Sequence, residues 1–150
     1  MFPLTITTVQ DETDLALLLD FMRKQPQYYD HYEDWLFGKC QARMESGRYK
    51  PIIAISEGVV IGDSVYQFLP DGTVEIKNFR IDPHYQNRSL GRFLMRQVQV
   101  ETEDAPMQLD VSIDNFEGVE FFIHQGFHIV KRDELYSPNR PDYLMRRSIN

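Results

Sequence analysis

The 150-residue sequence predicts an α/β (α+β) fold in which a mixed central sheet of about seven strands carries helices on both faces. Two observations predict it. Apolar residues recur at helical spacing before Pro51 and at strand spacing after it, and the second half alternates strand, helix, strand, helix, strand. A hydrophobic share of 42% supports a real core, and the length fits one domain over residues 1–150 better than two.

The elements follow in order. Residues 4–9 combine Thr and Ile in strand-like proportion; Asp11 then opens a helix with Leu15, Leu18, Leu19 and Met22 on one stripe, ended by Pro26. Asp30 and Glu33 read as a capping box for a second helix carrying Leu36, Cys40 and Met44. Residues 52–55 and 59–68 are β-branched or aromatic, and Ser56, Glu57 and Gly58 between them make a hairpin. Pro70, Asp71 and Gly72 form the next turn, before a strand over residues 74–81. Its apolar positions are Val74 and Ile76, then Phe79 and Ile81, so the alternation slips by one. A β-bulge at residues 77–79 explains the slip and would splay this strand from its neighbour; a strand buried on both faces explains it equally well. A helix follows over residues 89–101 with Leu90, Leu94 and Val98, then a strand over 107–113. Asp114 with Glu117 repeats the capping-box pattern, Gly126 stops that helix, and residues 127–130 and 143–147 are strands joined by a loop with Pro138 and Pro141.

Composition narrows the function. Sixteen Lys and Arg against 23 Asp and Glu leave a charge of -7, which repels phosphate backbones, so nucleic acid is not an expected partner. The longest apolar run, residues 15–19 between Asp14 and Asp20, is far short of the roughly 20 residues that span a bilayer. No basic-then-apolar leader is visible, so no membrane association and a cytoplasmic location are expected. The single cysteine, Cys40, lies on an apolar stripe and reads as a core residue rather than a nucleophile. Gly126 separates His124 from His128, and no metal site is expected.

Residues 81–94, IDPHYQNRSLGRFL, lead from a strand through a short polar turn into a helix. Such a turn aims several backbone N–H groups, and the positive end of the helix dipole, at one place that suits a phosphate or pyrophosphate. Many such turns bind nothing.

The stretch Gln86, Asn87, Arg88, Ser89, Leu90, Gly91 resembles the pyrophosphate loop of the GCN5-related N-acetyltransferase (GNAT) superfamily. That loop reads Gln or Arg, two residues, Gly, one residue, then Gly or Ala; Ser89 replaces the first glycine. A later stretch, with Asn115, Gly118, Phe121, Phe122, Gly126 and Phe127, resembles another motif of the family, and Asp142, Tyr143, Leu144 and Met145 resemble its last strand. The resemblance implies the GNAT acyl-CoA N-acyltransferase fold, acetyl-CoA as acyl donor, and direct transfer to a primary amine on a small molecule or peptide. It implies that the backbone around Phe79 and Ile81 bonds the pantetheine. Gln86, Asn87, Arg88, Ser89, Leu90, Gly91 and Arg92 would lie at the pyrophosphate, and Asn115 and Phe122 beside the donor; Arg92 also fits a solvated helix face with Arg96. Members are often dimers, so a homodimer is an expectation as well.

Glu75 matches the position of the catalytic glutamate in the histone acetyltransferase branch, where it would take the amine proton; a solvent-facing strand carboxylate is the plainer reading. The oxyanion would be met by a main-chain N–H of Phe79 or Ile81. Many relatives carry a tyrosine where this chain has Phe122, and phenylalanine cannot donate a proton to the departing thiolate. Unassisted departure, water, Tyr136 or Tyr143 could stand in for it, or the fold is retained as a weak or inactive acyl-CoA-binding or interaction module. In the family the helical hairpin borders the acceptor site, so Tyr29, Tyr32 and Trp35 in the segment QYYDHYEDW would bind a cationic amine. Packing and capping are the alternative for that segment.

Overall fold

The computed structural model describes residues 3–86, 89–134 and 141–148. Its elements are β1 (Thr5–Thr8), α1 (Glu12–Lys24), α2 (Tyr32–Trp35), a π-helical turn (Leu36–Cys40), α3 (Gln41–Glu45), β2 (Lys50–Ser56), β3 (Val59–Phe68) and β4 (Val74–Ile81). A 3-10 turn (Pro83–Tyr85), α4 (Leu90–Glu101), β5 (Met107–Ser112), α5 (Phe116–His124), β6 (His128–Asp133) and β7 (Asp142–Arg147) complete it. Among the described residues the sheet has seven strands in the order β1-β2-β3-β4-β5-β7-β6. Neighbours are antiparallel except β4 and β5, the pair joined through α4 as a parallel crossover requires.

Alternating side chains place the helices on both faces. Ile52 and Tyr66 join Leu94, Val98 and Phe122 in the cluster beneath α4 and α5, whereas Ile53 and Val65 join Leu18, Met22 and Leu36 beneath α1 to α3. In β4 the bulge accounts for the slip. Val65 pairs with Asn78 and Tyr66 with Ile76, leaving Lys77 as the extra residue. Val74, Ile76, Phe79 and Ile81 therefore all belong to the α4/α5 cluster despite the break in alternation. The parallel pairing with β5 covers only Val74 to Ile76 against Met107 to Leu109, although β5 runs on to Ser112. Past that point the two strands part and leave a wedge.

Two helix starts differ from the sequence reading. Asp30 and Glu33 do not form a capping box: His31 precedes α2 in a left-handed conformation, φ 58°, with no side-chain cap. Burial of Tyr32 against the sheet sets the entry there, and the helix is then broken by the π turn that turns both Leu36 and Cys40 into the core. The cap of α5 is Asn115 rather than Asp114; its Oδ1 accepts from the Gly118 N–H at 3.0 Å. Asn and Asp cap about equally well. Gly118 decides, because a Cβ there would lie 2.5 Å from Asn115 Nδ2. Asp11 and Gly126 act as expected: Asp11 accepts from the Asp14 N–H at 2.8 Å, and Gly126 ends α5 at φ +91°. Among the described residues no helix is long and apolar enough to cross a membrane.

Candidate active site

The wedge is lined by backbone on one side. Asp82 N–H donates to Ile61 O at 2.8 Å, toward β3, and alternation along an extended strand turns the N–H groups of Ile81 and Phe79 the other way, toward the gap left by β5. At the mouth of the gap Ser89 holds φ 62° and ψ 7°, the left-handed backbone that the glycine of the family pattern would adopt. Phe93 N–H is the first to close a helical bond in α4, to Ser89 O at 3.1 Å, which leaves the N–H groups of Leu90, Gly91 and Arg92 at the open helix end.

A cleft of about 580 Å³ runs along this end to the last residues of β4; Phe79, Ile81, Gln86, Ser89, Leu90, Gly91, Arg92, Asn115 and Phe122 all line it. Leu90 is itself buried, so its contribution is main-chain. Gly91 has a steric reason: a Cβ there would sit 2.9 Å from Phe121 Cε1. Gln86 Nε2 donates to Ile81 O at 3.4 Å, and Arg92 reaches Ser89 Oγ at 3.4 Å. Asn87 and Arg88 lie outside the described residues.

A second cavity of about 220 Å³ opens between the parted strands, lined by residues 75–80 of β4 and 109–112 of β5, and Glu75, Tyr29, Tyr32 and Trp35 line it together. The bulge builds one wall, where Ile76 and Phe79 line the cavity together with Glu75, Lys77, Asn78 and Arg80. Glu75 Oε1 accepts from Gln67 Nε2 at 2.8 Å and lies 3.3 Å from Lys77 Nζ; Oε2 accepts from Gln108 Nε2 at 3.5 Å. Burial pushes its carboxyl upward, but the Gln67, Lys77 and Gln108 contacts outweigh that and hold it below the ordinary value of 4.5. Glu75 is thus a held carboxylate at neutral pH rather than a solvent-facing one.

Tyr32 Oη donates to Asn78 Oδ1 at 2.9 Å, and Asn78 Nδ2 donates to both oxygens of Asp63 at 3.1 and 2.9 Å. This line ties the bulge to α2. Asp63 is fully buried, and burial pushes its carboxyl up to about 7 against the Asn78 bond and the Arg80 charge. Tyr29 and Tyr32 are both raised, first by burial, then by Asp142 and Asp110 at Tyr29 and by Asp63 at Tyr32. Tyr32 and Trp35 rings lie 5.5 Å apart.

Other candidates separate from the site. Cys40 is buried and its thiol is pushed up to about 12, as a core cysteine's is. Tyr143 packs on the α4/α5 cluster and lines neither cavity, and Tyr136 lies outside the described residues. Phe122 is buried among Phe79, Phe121 and Phe127, with ring centroids 5.3 to 5.6 Å away. Sequence reasoning missed Tyr28, Asn78, Arg80 and Asp110. Among the described residues five line both cavities, Tyr28 and Arg80 with Phe79, Asn115 and Phe122, and the guanidinium carbon of Arg80 is 5.3 Å from the Tyr28 ring centre. The aromatic run at residues 27–35 was the available signal for Tyr28; nothing local marks the others.

Residues 14–127 match the model of the acetyltransferase (GNAT) family. A comparison with curated proteins gives no significant match. Among solved structures, a protein assigned to the GNAT family from Desulfovibrio desulfuricans superposes with a TM-score of 0.84 at 15% identity, covering 99% of this chain and 100% of that one. The ribosomal-protein-S18-alanine N-acetyltransferase of Escherichia coli gives 0.75 at 20% identity over 99% of this chain and 95% of its own. The paia N-acetyltransferase of Thermoplasma acidophilum, in complex with coenzyme A, gives 0.75 at 16% identity over 97% and 99%. These three likenesses establish a shared fold.

Proposed function

The chain belongs to the GNAT acetyltransferase family, and from that premise we propose that it transfers an acetyl group from acetyl-CoA directly to a primary amine on a small molecule or peptide. One observation carries the reading: β4 and β5 part beside the open N-terminus of α4, with the Phe79 and Ile81 N–H groups turned into the gap. When bound, the donor supplies an activated thioester. The residues present fit it. The N–H groups of Leu90, Gly91 and Arg92 and the helix dipole suit its diphosphate, with Gln86 and Ser89 shaping the entrance. Phe79 and Ile81 can bond an extended pantetheine as a missing strand would, and the one nearer the reacting carbon meets the developing oxyanion.

The amine enters from the smaller cavity, which adjoins the donor cleft at the wedge. Tyr29, Tyr32 and Trp35 offer aromatic surface to a cation, and Glu75 offers charge. Glu75 receives the amine proton, directly or through a water. Its low carboxyl value makes it a modest base, because an effective one lies near the working pH. The coenzyme A complex among the similar structures belongs to that protein, yet it agrees in fold with the donor assignment.

A second reading has its own observation. Phe122 fills with hydrocarbon the position that holds a proton-donating tyrosine in many relatives, which suits a module that binds the donor without turnover. Coenzyme A release on a panel of amines, an alanine-initiated peptide, a lysine peptide, spermidine and an aminoglycoside, separates the two. Acetylation of any of them supports the enzyme. Tight acetyl-CoA binding in calorimetry with no turnover supports the module.

A further inference from the structure

Direct transfer leaves a thiolate that needs a proton, and Phe122 has none to give. The thioester must sit where the donor cleft and the acceptor cavity meet, since the amine arrives from one and the pantetheine from the other. Among the described residues five line both spaces: Tyr28, Phe79, Arg80, Asn115 and Phe122. Of these only Tyr28 carries a hydroxyl.

The other described phenols of the site each line only one of the two spaces. Tyr32 Oη donates its proton to Asn78 Oδ1 at 2.9 Å. Tyr29 lines the acceptor cavity alone, with the carboxylates of Asp142 and Asp110 acting on it, an environment that resists a phenolate. Tyr85 lines the donor cleft alone. Tyr28, by contrast, has the Arg80 guanidinium carbon 5.3 Å from its ring centre, where a cation offsets negative charge left on the ring.

We propose that Tyr28, in the loop between α1 and α2, donates the proton to the departing thiolate, with Arg80 as the positioning cation over its ring. The inference rests on the acetyltransferase reading. The amine nitrogen bonds to the thioester carbon while the carbonyl electron pair moves to oxygen. That pair returns, the C–S bond breaks with its electrons on sulfur, and the Tyr28 hydroxyl proton passes to sulfur. The nitrogen's surplus proton leaves to Glu75 or water, and solvent reprotonates the phenolate. No oxidant or further reactant enters.

The test uses coenzyme A itself, so that no acceptor need be known. The ultraviolet absorbance of the bound thiolate is titrated against pH, with protein alone subtracted, for wild type, Tyr28→Phe and Tyr32→Phe. The phenol donates to the sulfur anion, so the bound thiol of wild type and of Tyr32→Phe ionises at lower pH than that of Tyr28→Phe. In turnover, Tyr28→Phe lowers kcat about 10²-fold, the lower end for a general acid, with KM for acetyl-CoA unchanged. Identical titrations in all three proteins, or a shift confined to Tyr32→Phe, overturn the Tyr28 assignment while donor binding stands. Failure of wild type to bind coenzyme A overturns the acetyltransferase reading and Tyr28 with it.

Discussion

The cleft proposed for the donor and the cavity proposed for the acceptor adjoin along β4, and they are built from different materials. The donor side is main-chain: a left-handed Ser89, the open end of α4, and strand N–H groups freed by the departure of β5. The acceptor side is a wall of side chains, Glu75, Lys77, Asn78 and Arg80, faced by the aromatic loop before α2. Among the described residues, Tyr28, Phe79, Arg80, Asn115 and Phe122 line both. Recognition through the backbone tolerates change in side chains, whereas recognition through side chains changes with each of them. The same fold can therefore keep one donor while its acceptor varies.

The comparison breaks most readily at Asn78, which holds the acceptor wall. Asn78→Ala leaves the buried Asp63 carboxylate and Tyr32 Oη without their partner and lowers stability on the order of 3 kcal/mol by urea denaturation at pH 8. The loss is smaller at pH 5. Asp63 has a folded value of about 7 against 3.8 for the ordinary group, so the fold favours its protonated form. Its contribution is complete below 3.8 and is lost as pH rises through about 7. Asp63→Asn removes that decline, visible as a flatter stability profile across the interval.

Glu75→Gln, the next largest, lowers kcat by about 10²-fold if the carboxylate receives the proton. Because Glu75 titrates below 4.5, its loss of activity on acidification lies below that value and not near neutrality. An unchanged kcat removes Glu75 from proton transfer. On the donor side, Gly91→Val drives a side chain into Phe121 and disturbs its stack on Phe79, 5.4 Å between centroids. Affinity for coenzyme A falls about tenfold in calorimetry, equivalent to about 1.4 kcal/mol. KM for the amine is the sharper readout, since an equal rise there would erase the distinction between the two sides. The smallest effect is that of Asn115→Ala, which removes the cap of α5 and lowers thermal stability by about 1 kcal/mol.

The same difference explains what could be read from the sequence. The residues proposed for the donor side sit within one contiguous run, and the backbone geometry of the turn shows as small residues at fixed spacing, so the strand-to-helix turn at Ser89, Leu90 and Gly91 was legible before the fold was known. The bulge was one of two equal readings of the broken alternation between Ile76 and Phe79, and only the register with β3 decides it. Asn78 and Arg80 were not, because their meaning depends on Asp63 and Tyr28, far away in sequence. Glu75 was singled out by position as a candidate, but its state depends on Gln67 and Gln108 of two other strands. The capping boxes failed for a local reason in one case and a tertiary one in the other. Asn115 competes with Asp114 on equal terms, while burial of Tyr32 overrides Asp30.

The most direct test of the central claim is a crystal structure with coenzyme A. The account predicts the diphosphate against the N–H groups of Leu90, Gly91 and Arg92, and the pantetheine between β4 and β5, bonded to Phe79 and Ile81. A coenzyme ordered elsewhere on the molecule, with the wedge filled by the protein's own side chains, would contradict it.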